Sequence, residues 1–296
     1  MSRRNLINLV LLIAVVALIL VVIYKPGKED DSNKKIVTVD KANITQIKIE
    51  RTGNQDITFA LQEGHWHMLT PYNLKANKIK VESLLDLLGY TYHARYAMAD
   101  LDAKQYGLDI PRTKITFNNE YKFEFGTTEP LNKYRYIRYQ QALYLTDDYY
   151  HHRTLGAPTT FLDHALLDDK SNITKIELPN LTLTLQDAKW EAKPKPEKFS
   201  NDQANELIDH WKHSHAIEML AYPPVKGTGQ IRIYLDNSAT DNTQGPIRFD
   251  IFTINDEFYL GRKDLNIAYK LAKEQRRDLL QLPPAIESPA TKPAAK

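Results

Sequence analysis

A chain of 296 residues, 42% of them hydrophobic, has apolar material for two modest domains or one repeated domain. Its 39 Lys and Arg against 37 Asp and Glu leave a formal charge of +2, so no global field marks it as a nucleic-acid binder. The lack of cysteine excludes disulfides, thiolate metal sites, cysteine nucleophiles and lipid attachment through an N-terminal cysteine.

Leu6 to Tyr24 reads LINLVLLIAVVALILVVIY, uncharged and interrupted only by Asn8. About 19 residues at a rise of ~1.5 Å cover roughly the hydrocarbon thickness of a bilayer, and the run has no polar face to show water. It exceeds the apolar core of a signal peptide, and Tyr24-Lys25-Pro26-Gly27 offers no small-x-small cleavage site. Residues 1–24 are therefore expected to stay as a transmembrane anchor. Arg3 and Arg4 precede the span while Lys25, Lys28, Lys34 and Lys35 follow it, so flanking charge alone does not set orientation. Long downstream domains translocate largely regardless of charge. The expected topology is a single-pass inner-membrane protein with a cytoplasmic N-terminus and a periplasmic soluble region. Residues 25–35 read as a polar stalk.

Between the stalk and a Pro/Ala-rich tail, residues 283–296, expected to be disordered, the chain repeats itself. Asn43 to Ile49 (NITQIKI) matches Asn172 to Leu178 (NITKIEL). Leu61 to Trp66 then matches Leu185 to Trp190, and Val81 to Leu88 matches Ala204 to Trp211. Order and spacing hold through all three, which predicts a duplicated domain, residues 36–170 and 171–282.

Each unit opens with β-branched residues in imperfect alternation, as in a strand. Asp56–Gln62 and Leu181–Gln186 give a second strand, turned by Glu63-Gly64 or Asp187-Ala188 into a third that carries Trp. A helix follows, near Asn77 with Ile79, Val81, Leu84, Leu85 and Leu88 on its apolar face, or capped by Ser200 or Asn201 with Ala204, Leu207, Ile208 and Trp211 buried. Strands resume at Lys114–Phe117, Tyr121–Phe125, Tyr134–Tyr139 and Ala142–Leu145, and at Gln230–Leu235, Ile247–Ile254 and Glu257–Leu260. The expected fold class is α+β: an N-terminal transmembrane helix, then two related antiparallel-sheet-plus-helix repeats.

Ile44-x-x-Ile47-x-Ile49, a Trp closing a hairpin, a helix, then Tyr106-Gly107-Leu108-Asp109-Ile110-Pro111 together resemble a bacterial repeat, the domain of unknown function 4340. Phe123-Glu124-Phe125-Gly126, Tyr136-Ile137-Arg138 and Leu143-Tyr144-Leu145 fit the same pattern. The resemblance spans residues 36–282 and is clearest in the first unit. In the second, Ala221-Tyr222-Pro223-Pro224 replaces the Tyr-Gly-Leu-Asp-x-Pro turn, and the Gly after the second strand is absent. The resemblance implies a membrane-anchored protein encoded near ABC-type transporters of the gliding-motility kind.

No motif carries chemistry. His65 and His67 share a strand face, and His210 and His213 neighbour each other on a helix while His215 points elsewhere, so no three ligands close locally. Asp147-Asp148 and Asp168-Asp169 sit in turn-like sequence, where Asp bonds backbone amides. No Ser lies in a Gly-x-Ser-x-Gly context, and Gly227-Thr228-Gly229 lacks the Lys of a phosphate cradle. No catalytic residue, metal or cofactor is expected. The distinctive polar feature is Tyr134-Arg135-Tyr136-Ile137-Arg138-Tyr139. Alternation puts Tyr134, Tyr136 and Arg138 on one face and Arg135, Ile137 and Tyr139 on the other. Tyr134, Tyr136, Arg138, Arg135 and Tyr139 form the candidate binding surface, against the plainer reading that Tyr and Arg simply suit strand surfaces. The expectation is a non-catalytic auxiliary or scaffold subunit of an envelope complex with protein partners. The alternative is a periplasmic module binding a glycan or lipid headgroup.

Overall fold

The alternating segments pair into antiparallel sheets in a computed structural model that describes residues 12–17, 19, 34–168, 170–236 and 245–284. Most of the expected anchor, stalk residues 25–33 and tail residues 285–296 lie outside the described residues. Residues 12–17 and 19 are helical, with exposed Leu12, Ile13, Val15, Val16 and Ile19. Among the described residues no helix is long and apolar enough to cross a membrane.

The first unit runs β1 (Gln46–Arg51), β2 (Ile57–Gln62), β3 (His65–Thr70), β4 (Leu74–Lys75), helix α1 (Lys78–Leu85), β5 (Ala94–Ala97), β6 (Thr113–Phe117), β7 (Tyr121–Thr128), β8 (Arg135–Tyr139) and β9 (Ala142–Thr146). The second runs β10 (Ile173–Leu178), β11 (Leu181–Gln186), β12 (Lys189–Lys193), α2 (Asn201–His213), β13 (Glu218–Ala221), β14 (Gly229–Leu235), β15 (Ile247–Ile254), β16 (Glu257–Arg262), β17 (Ile267–Leu271) and α3 (Lys273–Leu280). Among the described residues the strand orders are β4-β3-β2-β1-β6-β7-β8-β9-β5 and β12-β11-β10-β14-β15-β16-β17-β13. They are the same order, apart from the two-residue β4. The architecture is α+β, with two mainly antiparallel sheets and few helices.

Registers agree at the first hairpin of each unit, while bulges interrupt the pairing at different places, at Thr58/Phe59 and Phe125/Thr128 in the first unit and at Ile173/Lys175 in the second. Leu61 pairs with Trp66 and Leu185 with Trp190, so the two tryptophans hold equivalent hairpin positions. Both hairpin turns have positive φ at two successive residues, Glu63-Gly64 and Asp187-Ala188, as a type I′ turn requires. Helix α1 and the 3-10 turn after it (Asp86–Gly89) bury Val81, Leu84, Leu85 and Leu88, matching Ala204, Leu207, Ile208 and Trp211 on α2. Ile79 departs from the expected face and is 76% exposed, because two residues before Val81 is roughly 200° around a helix. Helix α2 begins with a capping box: Ser200 Oγ accepts from Gln203 N, and Gln203 Oε1 accepts from Ser200 N.

The units differ where their sequences diverge. A Cβ on Gly126 would lie 2.2 Å from the Tyr106 carbonyl oxygen and 3.1 Å from Leu108, because the Tyr106-Gly107-Leu108 turn rests on β7. The register-equivalent residue in the second unit is Phe252, and its ring takes the place of that turn. Gly261 on β16 makes the room, since a Cβ there would meet Phe252 at 2.5 Å and Tyr222 at 2.8 Å. Loss of the turn motif and loss of the glycine are therefore one change in packing.

The segment between the units stitches them together. Asn77 N donates to Phe161 O (2.7 Å) and Asp163 N to Lys75 O (2.9 Å) on the first side. Ala216 N donates to His164 O (2.8 Å) and Leu166 N to Ser214 O (3.1 Å) on the second. Phe161, Leu162, Leu166 and Leu167 are buried in a hydrophobic core that continues through both sheets.

Candidate functional site

Strand β8 sends alternate residues to opposite faces, and the faces do different work. Ile137 and Tyr139 are buried, with Tyr139 stacked on Phe123 at a centroid distance of 4.9 Å. Arg135 clamps Asp148 with Nε and Nη2 (2.8 and 2.6 Å) and donates from Nη1 to Gly126 O (2.7 Å). The candidate surface is corrected accordingly: Tyr139 and Arg135 follow Ile137 inward and brace the sheet. Asp148 is an ion-pair partner rather than a cap, and Asp147 Oδ1 accepts from His93 Nε2 at 3.1 Å. Asp168 does bond a backbone amide, Lys170 N at 3.1 Å; Asp169 lies outside the described residues.

The outer face keeps Tyr134, Tyr136 and Arg138 and adds residues the sequence reading missed. The Tyr134 ring stacks on His93 at 4.0 Å, 16° from parallel. Tyr136 meets Tyr106 edge-on at 4.9 Å. Tyr96 on edge strand β5 is 50% exposed, and the register through Leu143 places it on the same face as Arg138. Desolvation, then the charge of Glu129 and the neighbouring Tyr106 and Tyr96, raise the Tyr136 hydroxyl pKa, so it remains a donor at neutral pH. Tyr106 opens the Tyr106–Pro111 motif, whereas for His93 and Tyr96 the one signal was composition, since they fall in a stretch with no periodicity of its own.

Arg138 is anchored by Glu124 directly across the strand pair. Glu124 is buried and also faces Lys122 at 3.0 Å and Lys114 at 3.9 Å. Desolvation alone would raise its pKa, but hydrogen bonds and charge from Lys122 and Arg138 outweigh it and hold the carboxyl below its ordinary value. The result is a fixed row of aromatic rings bordered by an ion-paired guanidinium. Such a surface stacks and hydrogen-bonds, as aromatic- and Arg-rich interfaces do.

The histidines are spread out. His210 and His213 each face an acid one helical turn earlier, Glu206 at 3.8 Å and Asp209 at 3.0 Å. His67 and His215 turn Nδ1 toward the carbonyls of His65 and His213. Among the described residues no group of three or more His, Asp or Glu is placed to hold a metal.

Residues 66–224 match the family described as Domain of unknown function (DUF4340). The chain belongs to this family. The match is narrower than the resemblance, running from Trp66 on β3 to Pro224 beyond β13, so it takes in the aromatic face and the stitching segment between the units. No curated protein and no solved structure matches the chain.

Proposed function

We propose that this DUF4340 chain is a membrane-anchored periplasmic scaffold or auxiliary subunit of an envelope complex, of the kind associated with ABC-type transport, and that it binds rather than catalyses. The observation that carries this reading is the aromatic face beside edge strand β5. Tyr96, Tyr134 and Tyr136 are presented on a rigid sheet, next to a terminal strand with exposed Arg95, Tyr96 and Ala97. Rigid aromatics contribute contact area at low cost in conformational entropy, which suits docking of a protein partner. The apolar run Leu6–Tyr24 supports the anchor, as do the exposed side chains of Leu12, Ile13, Val15, Val16 and Ile19.

A photoreactive phenylalanine at position 96 or 136, in cells of the native host, is expected to give a discrete adduct with another envelope protein. The same probe at Gln186, exposed on the hairpin of the second unit, is expected to give none. Absence of an adduct at both aromatic positions, or an identical pattern at all three, would rule out this face as the docking site.

A second reading, a periplasmic module for a glycan or lipid headgroup, is favoured by a groove between the units. It has a volume of about 330 Å³, with Leu74, Leu166, Leu167, Met219 and Tyr269 in its walls and Lys75, Asp163 and Arg262 among its polar groups. Apolar walls with few convergent polar groups are the usual form of a small-ligand site.

A further inference from the structure

Helix α3 turns a basic face toward a groove. Lys273, Arg276 and Arg277 stand at i, i+3 and i+4, hence on one side of the helix, and line a cavity of about 490 Å³. The facing wall is Pro179-Asn180, the turn between β10 and β11, together with Thr228 and Gly229; Ile251 and Leu280 also line it. Among the described residues no carboxylate lines this cavity. Arg277 is 76% exposed and reaches Asp278 at 3.2 Å. Arg276 lies over the Phe258 ring and touches Thr253 Oγ1 at 3.4 Å. Lys273 forms no ion pair with a described residue.

This arrangement works against the helix. Like charges at these spacings repel, and Lys273 occupies the first turn, where the helix dipole is already positive. An anion in the groove reverses the sign of both effects. The first unit shows the contrasting solution. By the repeat, Asn180 corresponds to Arg51, which is buried and donates from Nη1 to Gly156 O (2.6 Å) and from Nε and Nη2 to Gln55 O. That guanidinium fills the end of the first unit. The second unit has only the Pro179-Asn180 turn there, and the space in front of α3 stays open.

We propose that the α3 groove is a binding site for a phosphate-bearing ligand, with Arg276, Arg277 and Lys273 taking the phosphate oxygens. Guanidinium groups match phosphate in a bidentate fork, and Lys adds a point charge. The volume exceeds that of a bare phosphate and accommodates a diphosphate or a phosphate ester, so both a soluble phosphorylated compound and a lipid headgroup satisfy the chemistry.

Two arms separate these sources, both on the full chain. In the first, inorganic diphosphate is titrated by calorimetry into protein in a neutral detergent. In the second, hydrogen exchange across residues 273–281 is compared in nanodiscs of phosphatidylcholine with and without phosphatidylglycerol. A soluble ligand predicts binding in the first arm, at least tenfold weaker in K273Q/R276Q/R277Q with a melting temperature no lower than that of the parent. A lipid headgroup predicts protection that needs phosphatidylglycerol and is lost in the same variant. If the triple variant misfolds, the exposed single change R277Q replaces it, with at least threefold weakening expected. No binding in either arm, or binding that the variants retain, overturns the site.

Discussion

Trp211→Ala is expected to lower the unfolding free energy by about 3–5 kcal/mol, as truncation of a buried large aromatic does. Trp211 is fully buried, its ring centroid is 5.5 Å from that of Phe249, and its indole Nε1 donates to Leu279 O at 2.9 Å, tying α2 to α3. The change removes the ring and leaves that carbonyl without its donor. His213→Ala, an exposed position at the end of the same helix, is expected to stay within about 0.5 kcal/mol of the parent. Urea denaturation of the full chain in a mild detergent, followed by circular dichroism, measures both. Because the core continues through the stitching segment, the loss is expected in one cooperative transition. Two separate transitions, with only the later or the earlier shifted, would show that the seam does not couple the units.

The second large effect is a pH dependence centred on His151. Its side chain is buried against Phe125, and among the described residues Nε2 has no hydrogen-bond partner. Burial, and then the charge of Arg135, push its pKa from 6.5 down to about 4, against the opposing pull of Asp148. Between those values the unfolded chain holds a proton that the folded chain refuses. The contribution is therefore complete above pH 6.5 and is lost as pH falls toward 4, amounting to about 2–3 kcal/mol. Glu124, whose folded pKa is depressed from 4.5, contributes above that value and loses stability only as pH falls below it, so the His151 loss stands alone above pH 4.5. His151→Phe keeps a ring beside Phe125 and removes the titrating group. Its stability is expected to change less than that of the parent between pH 7 and pH 4.5, and equal slopes would exclude His151 as the source.

The central hairpins and the matching helices were legible because a two-residue period, a turn and a Trp occur in the same order twice. Helix α2 was legible to within one residue of its cap, Ser200 or Asn201, and the hydrogen bonds between Ser200 and Gln203 decide for Ser200. The edge strands β5 and β13 were not legible. β5 exposes three of its four residues and β13 buries only Met219, so neither has an alternation to read. Helix α3 buries only Leu279, which leaves its sequence looking like a solvated charge run. The role of Phe161–Leu167 was invisible because its buried Phe161, Leu162, Leu166 and Leu167 follow neither a strand nor a helix period and its remaining contacts are backbone hydrogen bonds. For the candidate site, alternation divided Tyr134–Tyr139 correctly into two faces, but which face the core would claim depended on Phe123, directly across the strand pair from Tyr139, and on Asp148, both outside any local pattern in the chain.

The absence of cysteine allows the anchored, exported arrangement to be tested with a single introduced thiol. Gln186→Cys places one on an exposed hairpin of the second unit. A membrane-impermeant maleimide is expected to label it in intact spheroplasts, with the labelled protein staying in the membrane pellet through a carbonate wash. Labelling only after lysis, or release of the protein into the carbonate supernatant, would contradict a membrane-anchored protein whose two units lie outside the cytoplasm.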